Sequence, residues 1–351
     1  MATKLVVDLG NTESVLAAAR QLIDDGNYMT LRKLISDVES ARGIRQFTGN
    51  VAHNSVFSGA AATSVAATWD RHFSDAAAGE PLVRATLDAG LTPRDRERIA
   101  RWRRGTPAAG RLVAFGSCFA RELSVAFAER GLAAEHLQIE ENINSPEANL
   151  EILKALGRKS EFAFVEQIIG HRRQEITGLL SRAEILCVTV GVAPVFVEKA
   201  SGRLYLARDY RRPILAGEIE QVLPPVDALR ASIEGVVREL ERLAPDALKL
   251  LTLSPVPLSG AVGDIGVVSY DLLSKASLRI ALHEAARNVE FVYLPSFEAV
   301  KWIAPHVPAR PETQAFGLDD GVSRHVSRWL VRVITDWACD TLGAAPRRSP
   351  G

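Results

Sequence analysis

Short apolar segments alternate with longer amphipathic ones from residue 111 onward, and this alternation limits the possible folds more than any other feature. Continuous runs of Val, Ile and Leu are typical of strands that are buried on both faces of a sheet. The apolar segments predict strands at 112–115, 185–190, 248–253 and 289–294, and the amphipathic ones predict helices after residue 117 and at 146–156, 226–243, 271–287 and 326–341. A hairpin is expected over 195–206, around the pair Ser201-Gly202. The alternation predicts a three-layer, doubly wound α/β domain with a mostly parallel sheet.

The first 110 residues follow a different pattern. Apolar residues recur at helical spacing over 13–24 and 29–41, and residues 93–104 form an Arg-rich helical segment. The stretch from Gly105 to Gly110 contains Gly, Pro and Ala and is typical of a linker. We therefore expect a mostly helical N-terminal extension over 1–110 and a second domain over 111–345.

Composition narrows the function classes. Lys plus Arg and Asp plus Glu number 42 each, so the net charge is zero and no global field favours nucleic acid or an anionic membrane. The three cysteines, Cys118, Cys187 and Cys339, form no C-x-x-C pair and predict no disulfide framework. No apolar run approaches the ~20 residues of a membrane helix, and no metal-ligand spacing or phosphate-binding glycine loop is present. These features predict a cytoplasmic protein without a cofactor.

Three candidate site residues follow predicted strands. Ser117, Gly191 and Ser254 come directly after apolar runs, and ligands of open α/β sheets bind at the carboxyl ends of strands. Ser117 would lie where a strand turns into a helix, so the backbone N–H groups of Cys118 and Phe119 could stabilise an oxyanion. The alternative is that Ser117 only caps this helix. The motif lacks the G-x-S-x-G pattern of a nucleophile elbow.

A serine nucleophile needs a base, and the base needs an orienting acid. His325 follows the acidic turn 319–321 and is expected to open the last helix, so it is our candidate base. The alternative is an exposed loop histidine. Lys275 and Arg279 are spaced to share one helix face, where they either hold an anionic substrate group or remain solvated.

The segment Phe115-Gly116-Ser117-Cys118-Phe119-Ala120 resembles the signature of the GSCFA family. Downstream segments resemble further landmarks of that family in the same order, over roughly 110–340. They are Glu141–Pro146, Thr189–Gly191, Ser254–Pro257 and the residues Ser274, Lys275, Leu278 and Arg279. The family is similar to SGNH/GDSL hydrolases, which implies an SGNH-like fold with Ser117 as nucleophile, Gly191 as a backbone oxyanion donor and His325 as base.

This sequence departs from the SGNH pattern at two positions. The usual Asn after the middle-strand glycine is missing, so the oxyanion hole is expected to recruit Asn142 or Asn144, or to use backbone donors alone. The usual acid three residues before the histidine is replaced by Val322. Asp320 or Asp319 is expected to serve in its place, or else Ser117 and His325 act as a dyad.

The resemblance implies hydrolysis or transfer of an O-acyl ester through an acyl-enzyme. Small acyl groups on a carbohydrate, including a polysaccharide, are the preferred substrate class by analogy. Two alternatives remain: acyl transfer from acyl-CoA, and a non-catalytic carbohydrate-binding or scaffold protein that keeps the fold. The oligomeric state is left open by the sequence.

Overall fold

The chain was analysed as a computed structural model. It describes residues 7–25, 30–31, 33–34, 37–38, 80–105, 110–138, 144–262, 265–306, 314–319 and 321–343. The helical segment expected over 29–41 lies largely outside these residues, and so do Asn142 and Asp320.

A parallel sheet forms the centre of the fold. Five strands are hydrogen-bonded in the order β2-β1-β3-β6-β7, and every pair in this sheet runs parallel. The strands in chain order are β1 (Arg111–Gly116), β2 (Ala133–His136), β3 (Ile185–Val190), β4 (Val195–Glu198), β5 (Ile219–Val222), β6 (Leu248–Leu253) and β7 (Val292–Tyr293). In the sheet, β2 lies on one side of β1 and β3 lies on the other side. The strand order therefore reverses between β1 and β3. Such a reversal is where doubly wound sheets open a crevice for ligands.

Helices cover both faces of the sheet. They are α1 (Thr12–Asp24), α2 (Glu80–Gly90), α3 (Pro93–Gly105), α4 (Cys118–Glu129), α5 (Pro146–Gly157), α6 (Ala163–Ile169), α7 (Arg173–Ser181), α8 (Arg211–Leu215), α9 (Val226–Leu243), α10 (Val267–Ala285) and α11 (Arg328–Leu342). Short helical turns occupy Ser296–Glu298, Ala299–Ile303 and Ala304–His306. In the part of the chain described, no helix is both long and apolar enough to cross a membrane.

Alternate residues of the strands pack into two separate hydrophobic cores, one on each face of the sheet. Val113 and Phe115 of β1 pack with α5, α6, α7, α9 and α10 on one face. Leu112 and Ala114 pack with α2, α3, α4 and α11 on the other. All six residues of β3 and all six of β6 are buried, as the continuous apolar runs predict. The three-layer, doubly wound α/β class is therefore confirmed.

Part of the expected N-terminal extension belongs to this core. Val83 and Leu87 of α2 are fully buried in the same cluster as the sheet. The indole N–H of Trp337 in α11 donates to Asp88 at 2.8 Å. Helix α1 instead packs in a separate small cluster with Leu34. The linker expected at 105–110 thus does not mark an edge of the hydrophobic core.

Three predicted elements differ from the structure. The turn at Ser201-Gly202 forms and its two arms share backbone hydrogen bonds, but the second arm makes only the bridge Val197↔Leu204, and the longer partner of β4 is β5. The strand expected over 289–294 is reduced to β7. The last helix begins after its N-cap Ser327, so His325 lies in the preceding turn and does not open the helix.

Candidate active site

Gly116 ends β1 with a backbone conformation that brings the chain against β3. Its φ is +114°, and a Cβ at this position would overlap the carbonyl oxygen of Thr189. A side chain is therefore disfavoured both by conformation and by space. The glycine allows the chain to turn from β1 directly into α4 at the point where the strand order reverses.

Ser117 occupies the N-cap position of α4, but its hydroxyl does not cap the helix. The Oγ atom lies 2.8 Å from Oγ1 of Thr189 and 2.9 Å from Oγ of Ser254, and the residue is 8% exposed. The backbone N–H of Ser117 donates to the same Thr189 oxygen at 2.7 Å. The interpretation of Ser117 as a simple helix cap is therefore wrong: its hydroxyl points across the crevice between β1, β3 and β6.

The three hydroxyls form an ordered chain. Thr189 Oγ1 already accepts the Ser117 N–H, so its own proton can point to Ser117 Oγ. The Ser117 hydroxyl in turn donates to Ser254 Oγ, which also accepts the N–H of Val256 at 3.3 Å. In this arrangement the proton of Ser117 is held by Ser254, so a base must take over that hydrogen bond before Ser117 can attack a carbonyl.

Gly191 leaves room between the two serines. A Cβ on Gly191 would lie 3.3 Å from Cβ of Ser117 and 3.1 Å from Cβ of Ser254. The carbonyl oxygen of Gly191 accepts a 2.5 Å hydrogen bond from Nζ of Lys275. A hydrogen bond from a cation holds this peptide group firmly and polarises it.

A cavity of about 430 Å³ opens above these residues. Its lining includes polar groups or backbone atoms of Ser117, Cys118, Gly191, Ser254 and Asn144. The small sheet β4/β5 and its neighbouring turns contribute an aromatic wall, which consists of Phe196, Tyr205 and Tyr210. The rings of Phe196 and Tyr210 stack at 4.3 Å, and Tyr205 meets Tyr210 edge-on at 6.0 Å.

Of the two predicted asparagines, Asn144 lines the cavity and Asn142 lies outside the described residues. Asn144 is buried, and its Oδ1 accepts a hydrogen bond from Nδ2 of Asn149 at 3.2 Å. Because the oxygen is engaged in this way, the Asn144 amide presents its NH₂ group as a donor. The assignment of Asn144 as an oxyanion donor stays a prediction.

Lys275 and Arg279 share α10 but have different partners. Lys275 is 2% exposed, and burial lowers the pKa of its ammonium, while the charge of Asp271 acts in the opposite direction. Arg279 pairs with Glu298 at 2.7 Å and lies 4.3 Å from the ring centroid of Tyr293. Neither Lys275 nor Arg279 is among the described residues that line the cavity, and the expected alternative of a solvated face is wrong for the buried Lys275.

His325 lies in a turn beside the cavity, and the residue before it contributes to the cavity lining. Arg324 lines the cavity, whereas the backbone of His325 donates to Val322 and accepts from Gly317, both at 2.9 Å. The carboxylate of Asp319 accepts the N–H of Arg328 at 2.7 Å and so helps to cap α11. Asp320 lies outside the described residues. The pairing of Ser117 with His325, and of His325 with an acid, stays a prediction.

Thr189 and Arg324 were not assigned a role from the sequence. Thr189 is the one hydroxyl-bearing residue in the otherwise apolar run 185–190, next to its carboxyl end, and this position was a usable signal. Arg324 precedes the candidate base and gave no signal by itself. Both contribute to the site because a strand and a turn that are distant in sequence meet at one edge of the sheet.

Comparisons with known proteins add a family match. A model of the GSCFA family matches residues 158–303, which confirms the resemblance over a range that contains Gly191, Ser254 and Lys275. Ser117 and His325 lie outside the matched range. No curated protein sequence matches the chain. A crystal structure of a protein described as a candidate GDSL-like lipase, from Parabacteroides merdae, is similar at 11% identity and a TM-score of 0.33, covering 68% of this chain and 98% of that one.

Proposed function

We propose that this chain is a serine-dependent ester hydrolase or O-acyltransferase with Ser117 as its nucleophile. The observation that carries the proposal is the position of the Ser117 hydroxyl. It lies at the reversal of strand order, contributes to a cavity lining, and bonds to Thr189 and Ser254 instead of capping its helix. The match to the GSCFA family and the likeness to a candidate GDSL-like lipase agree with hydrolase chemistry.

The proposed reaction begins when Ser117 Oγ attacks the ester carbonyl carbon and its proton passes to His325. The N–H of Ser117 is engaged by Thr189, so the oxyanion is expected at the N–H groups of Gly191 and Cys118, with Asn144 as a further donor. The tetrahedral intermediate collapses, the ester C–O bond breaks, and the alcohol leaves with the proton from His325. Water or a second alcohol then resolves the acyl-enzyme.

The aromatic wall supports a ring-bearing substrate. Phe196, Tyr205 and Tyr210 provide apolar faces with polar edges, and such surfaces pack against sugar or aryl rings. We therefore propose small acyl groups on a carbohydrate as the substrate class. The three cysteines form no disulfide, and on this ground we also propose a reducing compartment, the cytoplasm, as the location.

A non-catalytic carbohydrate-binding protein is the second candidate, and one observation favours it. The Ser117 hydroxyl donates to Ser254 and not to a base. A third reading, transfer from acyl-CoA, would have Lys275 and Arg279 bind phosphates. Their partners, the carbonyl of Gly191 and the carboxylate of Glu298, count against it.

Hydrolysis of p-nitrophenyl acetate separates these candidates. The enzyme proposal expects turnover that falls about a thousandfold or more in Ser117→Ala and nearly as far in His325→Ala, since nucleophile and base act as a unit. Absence of turnover together with sugar binding would favour the binding protein. Saturable CoA binding that weakens in Lys275→Ala would favour the acyl-CoA reaction.

A further inference from the structure

Two buried lysines lie behind the floor of the cavity. Lys275 and Lys301 are both buried, at 2% and 3% exposure. The ammonium of Lys275 donates to Gly191, and that of Lys301 lies 4.7 Å from the ring centroid of Phe316. A buried ammonium is stabilised by a nearby negative charge, so this region favours an anion.

The carboxylate of Asp271 acts on both of these lysines. The charge of Asp271 raises the pKa of both Lys275 and Lys301, but burial outweighs it and lowers the pKa of Lys301 to about 7. Asp271 also accepts the backbone N–H of Leu258 at 2.8 Å. Asp271 thus acts on both buried amines and also accepts a hydrogen bond from a backbone donor.

Arg324 extends the positive region to the cavity itself. It is half-buried, and it is the one charged side chain among the described residues that line the cavity. Its Nη1 donates to the carbonyl oxygen of Pro257 at 3.3 Å, which ties the guanidinium to the loop after β6. Its charge also acts on Lys275, since it contributes to lowering the pKa of that amine. A guanidinium carries several N–H donors in a fixed fork that matches a carboxylate or phosphate.

We infer that the cavity takes an ester whose substrate carries an anionic oxygen group, a carboxylate or a phosphate, and that Arg324 binds this group while the ester carbonyl lies at Ser117. The inference rests on the proposed function and specifies its substrate class. With the aromatic wall formed by Phe196, Tyr205 and Tyr210, it points to an acylated ring that bears an acid group, such as a sugar acid or a sugar phosphate. Arg324 would then determine specificity, and Lys275 would contribute long-range charge from behind Gly191.

Matched aryl acetates test the inference. The neutral reference is 4-acetoxybenzamide, and the anionic esters are 4-acetoxybenzoate and 4-acetoxyphenyl phosphate, which separate a carboxylate from a phosphate. We expect kcat/KM of the wild type to be about ten- to a hundredfold higher for at least one anionic ester, as for a hydrogen bond to a charged group. Arg324→Gln should remove most of this preference, chiefly through KM, and Arg324→Lys should retain part of it.

Arg328→Gln is the matched control, because its exposed side chain lies on the first turn of α11 and is not among the described cavity residues. It should keep the wild-type preference. Equal cleavage of neutral and anionic esters by the wild type, or an equal loss on both in a folded Arg324→Gln protein, would overturn the inference.

Binding separates this inference from the proposed chemistry. Calorimetric titration of Ser117→Ala with 4-acetoxybenzoate, 4-acetoxyphenyl phosphate and 4-acetoxybenzamide measures recognition without turnover. One outcome is that the wild type cleaves no ester, that Ser117→Ala binds an anionic ester better than the amide, and that Ser117→Ala/Arg324→Gln does not. In that case the anion site stands and the esterase proposal fails. If the wild type cleaves esters but no anionic ester binds better than the amide, the anion site fails and the esterase proposal stands.

Discussion

Replacing Glu147 by Gln is expected to stabilise the protein at neutral pH. Glu147 lies in the first turn of α5, next to the cavity residues Ser145 and Ala148, and both of its carboxyl oxygens are buried, with its own backbone and Ser145 as weak compensation. Burial raises the pKa of this carboxyl from 4.5 to about 7. A helix N-terminus favours a carboxylate by only ~0.3–1 kcal/mol, which is too little to offset the burial.

The raised pKa fixes the direction of the pH dependence. Between pH 4.5 and about 7 the unfolded chain releases the Glu147 proton while the native protein keeps it. The carboxyl therefore contributes stability that is complete below pH 4.5 and is lost as the pH rises through about 7. At about 1.36 kcal/mol per pKa unit, the loss approaches ~3 kcal/mol.

Urea unfolding between pH 4.5 and 8 measures how much the Glu147 carboxyl contributes to the free energy of unfolding. The difference in unfolding free energy between Glu147→Gln and wild type should be near zero at pH 4.5 and rise to about 3 kcal/mol at pH 8. Glu151→Gln is the control, because it removes a carboxylate from the same helix that is paired with Lys154. A difference that does not grow with pH would refute the reasoning.

Three further predictions concern the crevice and the core. Gly116→Ala should cost more than about 2 kcal/mol of stability, as measured by urea unfolding. Gly202→Ala should cost about 1 kcal/mol, because Gly202 also has a positive φ but has open space around it. Equal losses would contradict the steric reasoning. Ser254→Ala should lower kcat on p-nitrophenyl acetate about two- to tenfold, the effect of one hydrogen bond, and a loss as large as in Ser117→Ala would make Ser254 itself catalytic. Deletion of residues 1–110 should give an insoluble or less stable protein, because it removes Val83 and Leu87 from the core. Deletion of residues 1–79 should preserve the fold. Equal thermal stability of the two truncated proteins would argue against this packing.

The sequence predicts β1, β3 and β6 well because each is a short, continuous and largely apolar run, whereas the edge strand β2, which contains Glu135 and His136, is not predicted. The bounds of β6 and α9 agree with the expected 248–253 and 226–243. Ser117, Gly191 and Ser254 were expected at strand ends, and parallel strands necessarily bring such residues to one edge. Their convergence at one cavity therefore follows from local patterns and a general topological rule.

Other features depend on contacts that no local pattern encodes. Strand β5 is short and contains the polar pair Glu220-Gln221, so its pairing with β4 was not expected. The role of α2 in the core depends on a distant partner, Trp337. The hydrogen bonds of Ser117 could not be inferred either, since they join side chains 72 and 137 residues apart in the chain.

Covalent labelling tests the central claim most directly. The full-length protein is treated with a fluorophosphonate probe, its intact mass is measured, and the modified residue is mapped by peptide sequencing. We predict one adduct on Ser117 in the wild type and in Ser254→Ala, and none in a folded Ser117→Ala protein. An unmodified wild type, or an equal adduct on Ser117→Ala, would contradict the assignment of Ser117 as the nucleophile.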